Sequence, residues 1–121
     1  MISLVIPCYN EEDNLEKLLT RISSLLKEFS QENIELVIVN NGSTDNSEQI
    51  IKNHELFKKN LISLINIKRN KGYGDGINQG LNFSKGDVVC WFHADLQFDP
   101  FDAINIYQKY KLDLMLTYRM I

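Results

Sequence analysis

Along this chain, short apolar runs alternate with longer stretches whose apolar residues recur at helical spacing. Residues 2–6 form a β-rich apolar run that stops at Pro7, and Leu15, Leu18, Leu19, Ile22, Leu25, Leu26 and Phe29 then repeat along one helix face. A second apolar run, residues 34–39, is halted by Asn40-Asn41-Gly42-Ser43. Beyond it, Asp45 and Glu48 read as a capping pair opening a helix whose core side carries Ile50 and Ile51. Residues 61–67 predict a third strand and residues 74–83 a glycine-started helix. Residues 87–92 predict a fourth strand, apolar enough to be covered on both faces. Asp99-Pro100 starts another helix, with proline at its favoured first position and Ile104, Tyr107 and Tyr110 as inward candidates. Residues 112–116 predict a fifth strand.

Strands alternating with helices make right-handed βαβ units. The expected class is α/β: a Rossmann-like, mostly parallel sheet with helices on both faces. No linker, repeat or low-complexity tract interrupts the pattern, so residues 1–121 read as one domain. A chain of 121 residues can bury roughly two-thirds of its unfolded surface. Its 44% hydrophobic and 24% charged residues exclude a disordered or disulfide-stapled chain. The net charge of -3 supplies no basic face for nucleic acid or a membrane surface, so any phosphate site must be local. Cys8 and Cys90 lie far apart in apolar runs, which excludes a CxxC pair or zinc knuckle and predicts buried, reduced thiols. The opening apolar run lacks a preceding basic stretch and is too short for a signal peptide or membrane span, so a cytoplasmic location is expected.

In such sheets ligands sit beyond the carboxyl ends of the strands, and the polar clusters of this chain fall there. After the first strand stands Pro7-Cys8-Tyr9-Asn10-Glu11-Glu12, where a dinucleotide-binding fold would have a GxGxxG turn. Read alone it is a helix start, with Asn10 as cap and the glutamates complementing the helix dipole. Tyr9 equally offers a face for a nucleobase. After the second strand, Asn40-Asn41-Gly42-Ser43-Thr44-Asp45 supplies amides and hydroxyls suited to a base or ribose edge, or to a plain turn. After the third, Asn70-Lys71-Gly72-Tyr73-Gly74-Asp75-Gly76 sets glycines and a cation before a helix, where N–H groups approach an anion closely. Most such loops are only turns; the neighbouring clusters favour the anion reading.

After the fourth strand, His93-Ala94-Asp95-Leu96-Gln97-Phe98-Asp99-Pro100 is the strongest local signal, with two carboxylates and an imidazole. Mg²⁺ prefers one or two carboxylates plus phosphate oxygens, and Asp95 at a strand end is placed for that. Asp99 reads at least as well as the cap of the next helix, with Asp102 its third helical residue. No cap accounts for Asp95. His93 admits three roles, metal ligand, ribose partner or plain polar residue, and the ribose contact is preferred. His54, among Lys52, Asn53 and Glu55, reads as solvated.

Taken in order, Val5-Ile6-Pro7-Cys8-Tyr9-Asn10-Glu11-Glu12, Val39-Asn40-Asn41-Gly42-Ser43-Thr44-Asp45, Asn70-Lys71-Gly72 and the stretch from Gly86-Asp87 to Pro100 resemble family 2 glycosyltransferases. The resemblance covers nearly the whole chain. The Asp-Leu-Gln-x-Asp-Pro form, Asp95 to Pro100, is most similar to the branch related to dolichyl- and polyprenyl-phosphate sugar synthases. This resemblance implies the donor-binding half of a GT-A fold and a nucleotide-diphosphate sugar, UDP- or GDP-linked. It implies base and ribose contacts at Pro7, Tyr9, Glu11 and Asn41, donor contacts at Lys71 and Gly72, and an Asp-x-Asp loop at His93-Ala94-Asp95. Asp95 would bind the Mg²⁺ or Mn²⁺ that bridges the diphosphate, and transfer would invert the anomeric carbon. Two departures stand out: Asn40-Asn41 replace the usual acidic pair, and His93 replaces the first acid of the Asp-x-Asp. Base identity and ribose contacts are therefore left open, although Asn41 still suits a uracil or guanine edge because its amide donates and accepts.

The family places its acceptor site and general base after the fifth strand, and Leu116-Thr117-Tyr118-Arg119-Met120-Ile121 offers nothing for that role. No catalytic base is assigned, although an attacking hydroxyl needs one within hydrogen-bond reach. The expectations are donor binding without efficient transfer by this chain alone, and self-association through an uncovered edge. A lipid phosphate at the inner membrane face, in cell-envelope biosynthesis, or a glycan is the implied acceptor. The competing readings are a non-catalytic nucleotide-binding remnant and, ranked last, a sugar-phosphate nucleotidylyltransferase. The latter needs a basic glycine-rich loop where Pro7-Cys8-Tyr9-Asn10 stands.

Overall fold

The computed structural model describes residues 1–120, with side chains through Leu114. β1 (Ile2–Cys8) is buried at every position, which demands strands on both edges and cover on both faces. The sheet supplies them in the order β3-β2-β1-β4, with every pair parallel. Here β2 is Ile34–Asn41, β3 Ser63–Ile67 and β4 Val88–Trp91. The connections carry α1 (Glu12–Glu28), α2 (Ser47–Asn53), α3 (Glu55–Lys58) and α4 (Tyr73–Phe83), and α5 (Pro100–Met120) follows β4.

β1 runs past the proline expected to end it. Phe92 N–H donates to Val5 O at 3.2 Å, so Val5 turns its peptide toward β4, and Pro7, two residues on, faces the same side. The ladder between β1 and β4 stops at Val5↔Trp91. The N–H that Pro7 lacks therefore has no strand to meet, and the central strand tolerates it.

Strand alternation splits the core in two. Ile2, Leu4, Ile6 and Cys8 face the apolar stripe of α1, joined by Ile51 of α2, Leu56 of α3 and Ile104 of α5. Each such aliphatic side chain contributes about 1.5–3 kcal/mol on burial. Val5, Val37 and Val39 face the other way, against Ile65, Ile67 and Leu81 of α4. That second layer is thin: a Cβ at Gly80 would lie 2.4 Å from Val5 Cγ1 and 2.9 Å from Val39 Cγ2. Only a bare Cα lets α4 approach so closely.

Several expectations are corrected. β4 is not covered on both faces: Val88 and Cys90 pack against the α1 layer, but Val89 and Trp91 are exposed. It is an edge strand, and α4 packs on β1, β2 and β3 instead. Residues 112–116 are not a strand; they continue α5 to Met120. Their alternating leucines mimic period two, but a helix satisfies its backbone groups internally, while a strand needs a partner. Lys111 ties the helix back to Glu32 at 2.8 Å. Tyr110 is exposed rather than inward. His54 is half-buried and not simply solvated, because its Nδ1 accepts the Leu56 N–H at 3.1 Å and caps α3. β3 begins at Ser63, two residues later than the apolar run.

At the opposite end of the sheet, Ser3 Oγ donates to Glu35 Oε1 at 2.6 Å and accepts the Gly86 N–H at 2.8 Å. This bridge fixes the entry of β4 beside β1. Among the described residues no helix is long and apolar enough to cross a membrane.

Candidate functional site

Two turns leave the sheet side by side at the carboxyl ends of β1 and β2, and they clasp one another. Asn10 adopts a left-handed backbone (φ 52°), a conformation asparagine tolerates better than most residues. Its Oδ1 accepts the N–H groups of Thr44 at 2.8 Å and Asp45 at 3.3 Å, while its own N–H donates to Ser43 Oγ at 3.0 Å. Glu11 N–H donates to Ser47 Oγ, Glu12 N–H to Asp45 Oδ2, and Asn46 N–H returns to Glu12 Oε2. Asn10 therefore does not cap α1, whose N-cap is Glu11 without a side-chain bond. Nor do Asp45 and Glu48 form a capping box: the N-cap of α2 is Asn46, and Glu48 pairs with Lys52 and Asn66. Asn10 is spent across the two turns, and Asp45 is divided, its Oδ2 taking the Glu12 N–H across them and its Oδ1 the Ser47 N–H at 2.9 Å at the start of α2.

The clasp borders a cavity of about 180 Å³ walled by Pro7 near the end of β1, Tyr9 and Glu11 after it, Asn41 at the end of β2, and His93 and Ala94 after β4. Six of the residues named from sequence thus meet at the carboxyl ends of three strands. Cys8, Asn70 and Tyr73 complete the wall; they stand inside the clusters the sequence singled out, which gave them no site role of their own. Lys71 and Gly72 are exposed and outside it. Asn70 Oδ1 accepts the Gly72 N–H at 2.7 Å, a tight asparagine turn. The recurrence of asparagine before glycine was the available signal; the lysine charge drew attention one residue too far.

Asn41 is 4% exposed. Its Nδ2 donates to Gly72 O at 3.1 Å, and its Oδ1 has no hydrogen-bond partner among the described residues. The turn that follows depends on Gly42, whose φ is +72° and whose added Cβ would lie 2.5 Å from Asn70 N. The Cys8 thiol is pushed up to about 12 by burial, opposed by a hydrogen bond with Ser47 and reinforced by the Glu11 charge. It is a neutral floor to the cavity rather than a nucleophile. Burial opposes ionisation of Asp45, yet hydrogen bonds from the Ser47 side chain and from the Ser47 and Glu12 N–H groups outweigh it and hold that carboxyl below its ordinary range.

Beyond Ala94, the two acids of the loop part company. Asp99 takes Arg21 on both oxygens, at 2.8 and 3.1 Å, and accepts the Phe101 N–H at 3.1 Å. The Arg21 hydrogen bonds hold its carboxyl below the ordinary range. It caps α5 and pins that helix to α1. Asp95 is half-buried; its Oδ1 accepts the Gln97 N–H at 3.1 Å around Leu96, which has φ 67°. Among the described residues no three His, Cys, Asp or Glu side chains converge as a metal cluster. His93 lies stacked on Tyr73, whose hydroxyl contacts the imidazole Nε2.

Comparison with known proteins agrees with this architecture. The glycosyl transferase family 2 model matches residues 3–112, and the chain belongs to that family. Undecaprenyl-phosphate 4-deoxy-4-formamido-L-arabinose transferase of Proteus mirabilis is 39% identical over 99 residues, covering 82% of this chain and 30% of that protein. Among solved structures, residues 1–349 of S. aureus TarS in complex with UDP-GlcNAc superpose with TM-score 0.67 at 26% identity, covering 78% of this chain and 26% of that one. The Pyrobaculum calidifontis mannosyltransferase in complex with GDP-Man and Mn²⁺ gives TM-score 0.72 at 22% identity, over 85% of this chain and 30% of that one. The fold is GT-A, and the chain spans about a third of the length of these relatives.

Proposed function

We propose that residues 1–121 are the nucleotide-sugar-binding portion of a glycosyltransferase, in which Tyr9 and Asn41 hold the base and Asp95 the metal-bound diphosphate. The observation that carries this reading is the cavity at the strand ends, where Pro7, Tyr9, Glu11, Asn41, His93 and Ala94 converge from the carboxyl ends of three strands. Asn41 Nδ2 is committed to Gly72 O, so the group left to a ligand is the buried acceptor Oδ1. That suits the imide N–H of uracil or guanine. The complex of TarS with UDP-GlcNAc supports a UDP-linked donor.

Asp95 fits a Mg²⁺ or Mn²⁺ site of one kind. One of its oxygens accepts Gln97 N–H, and the other keeps its lone pairs. A lone carboxylate completed by phosphate oxygens is a donor set magnesium accepts, whereas an all-protein cage would need more. When bound, the ion would neutralise charge that develops on the departing diphosphate. The Asn10 clasp keeps the two base-holding turns in register, and the neutral Cys8 thiol adds no charge opposing the phosphates.

Transfer with inversion to a polyprenyl phosphate is the activity proposed for the whole protein, in keeping with the name of the P. mirabilis relative; a cytoplasmic site at the inner membrane face follows from that acceptor. A second reading, binding without transfer by these residues alone, is favoured by the cavity lining. Glu11 is its one acid there, and its Oε2 already accepts Asn14 Nδ2 at 2.8 Å. Calorimetric titration with UDP and GDP, with and without Mn²⁺, tests the shared binding claim; binding indifferent to metal and to Asn41→Ala would overturn it. A turnover assay with a polyprenyl phosphate separates the two readings.

A further inference from the structure

Beside the free edge of β4 runs an apolar groove of about 460 Å³, walled by Val88, Val89 and Cys90 on the strand and by Ala103, Ile106 and Tyr110 on α5. Ile106 is 65%, Tyr110 49%, Trp91 45% and Val89 38% exposed, an apolar surface of a kind that marks an interaction site. The Phe92 N–H is spent on Val5 O, so by alternation Phe92, Cys90 and Val88 point their peptides at β1, while Val89 and Trp91 turn theirs outward. No described strand lies beside those outward groups. Such an edge is a template for another chain.

We propose that this face joins two copies of the chain, with β4 pairing antiparallel to β4 of the other copy around facing Cys90 residues. That register sets Val89 of each copy opposite Trp91 of the other and pairs the outward N–H and C=O groups of both residues. A β-branched residue opposite an aromatic is a favourable cross-strand pair, and Trp91 already rests edge-on against Tyr73 at 6.0 Å. The two-fold axis stands normal to the sheet, so the two α5 helices lie on the same face and run antiparallel beside the axis. Ile106 then meets Ile106 of the other copy over the groove. Asp102, Ile106 and Lys109 share one stripe of α5, and Asp102 and Lys109 are exposed. Asp102 lies about 6 Å along the helix before Ile106 and Lys109 about 4.5 Å after it, so the crossing brings Asp102 of each copy to Lys109 of the other. Apolar groove, open edge and opposite charges are each complementary to themselves under one rotation, which is what a second copy requires and any other occupant does not.

Sedimentation velocity of the 121-residue chain at rising micromolar concentration should show a monomer–dimer equilibrium. Asp102→Lys and Lys109→Asp should each weaken the dimer roughly fivefold or more by setting like charges together. The double variant carrying both changes, and an equal mixture of the two single variants, should recover it, whereas a residue that only supports its own helix would not be rescued by exchange. Mild oxidation with copper phenanthroline should link the parent through Cys90, because a non-hydrogen-bonded antiparallel pair holds its Cα atoms about 4.5 Å apart, within reach of a disulfide. Cys90→Ser, which keeps the buried Cys8, should not link. Both charged positions are exposed, and circular dichroism checks that the variants fold. A chain that stays monomeric, or a dimer indifferent to both charge reversals and unlinked at Cys90, overturns the proposal.

Discussion

The carboxamide oxygen of Asn10 lies 2.8 Å from the amide nitrogen of Thr44, joining the turn after β1 to the turn after β2 across 34 residues of sequence. Because the same side chain also takes the Asp45 N–H, one residue satisfies two backbone donors that neither helix could supply with partners. The β1–β2 ladder, which runs to Cys8↔Asn40, sets Tyr9 beside Asn41, and the Asn10 bridge holds together the turns that follow them.

Asn10→Ala should therefore destabilise the chain by about 1–2 kcal/mol, since it removes two hydrogen bonds that water replaces only in part and places alanine in a left-handed conformation. Asn10→Gly removes the acceptor but relieves the backbone and should lose less. Urea midpoints for the pair measure the two contributions, and equal losses would mean the backbone conformation adds nothing.

Gly80→Ala pits two effects of opposite sign against one another. Alanine gains about 1 kcal/mol of helix propensity, but its Cβ would meet Val5 Cγ1 at 2.4 Å and Val39 Cγ2 at 2.9 Å. Overpacking of this kind costs about 1–3 kcal/mol, occasionally more, so a net loss of stability is expected. A variant melting at or above the parent temperature would show that α4 shifts freely.

Asp95→Ala should remove the metal dependence of nucleotide diphosphate binding, with a loss of at least roughly tenfold in the presence of Mn²⁺. Stability should change by less than about 0.5 kcal/mol, because the side chain is half-exposed and holds one local hydrogen bond. Asp99→Ala should do the reverse, weakening the fold through loss of Arg21 and the cap while retaining metal dependence. Calorimetry beside thermal melts distinguishes the two acids.

Stability should fall at both ends of the pH range, for different residues. Burial raises the folded Cys8 value to about 12 from 9.0, so its contribution is full below the unfolded value and is lost as pH climbs toward the folded one. The stability gap between the parent and Cys8→Ala should shrink between about pH 9 and about pH 10. Asp45 is depressed, so its contribution is present above the unfolded carboxylate value and lost as pH falls through the folded one. Asp45→Asn should flatten the acid limb; an unchanged limb would reject that assignment.

The fold was legible from sequence because its signals are local and repeated. The apolar stripe Leu15, Leu18, Leu19, Ile22 and Leu25 can bury one face only as a helix, and all of these residues are in the core. The runs around Val5 and Val37 can be buried on both faces only inside a parallel sheet. At the site, the turn positions of Tyr9, Asn41 and His93 were readable from their place at strand ends. The partners of Asn10 and Asp45 were not: a short polar side chain caps the next helix or reaches another turn with equal chemical ease, and only the juxtaposition of β1 and β2 decides. Leu112 and Leu114 show the same ambiguity, since alternation fits a strand but both lie in α5.

The sequence by itself determined the α/β class, the order of its elements and the residue types that stand at each strand end, because hydrophobic period and turn chemistry act over a few residues. Tertiary structure decided which of those residues share a cavity, that Asp99 belongs to Arg21 and α5 while Asp95 stays in the loop, and that Trp91 faces outward beside Tyr73. Those outcomes depend on strand order and on which helix covers which strand, and contacts between residues distant along the chain carry no local signature.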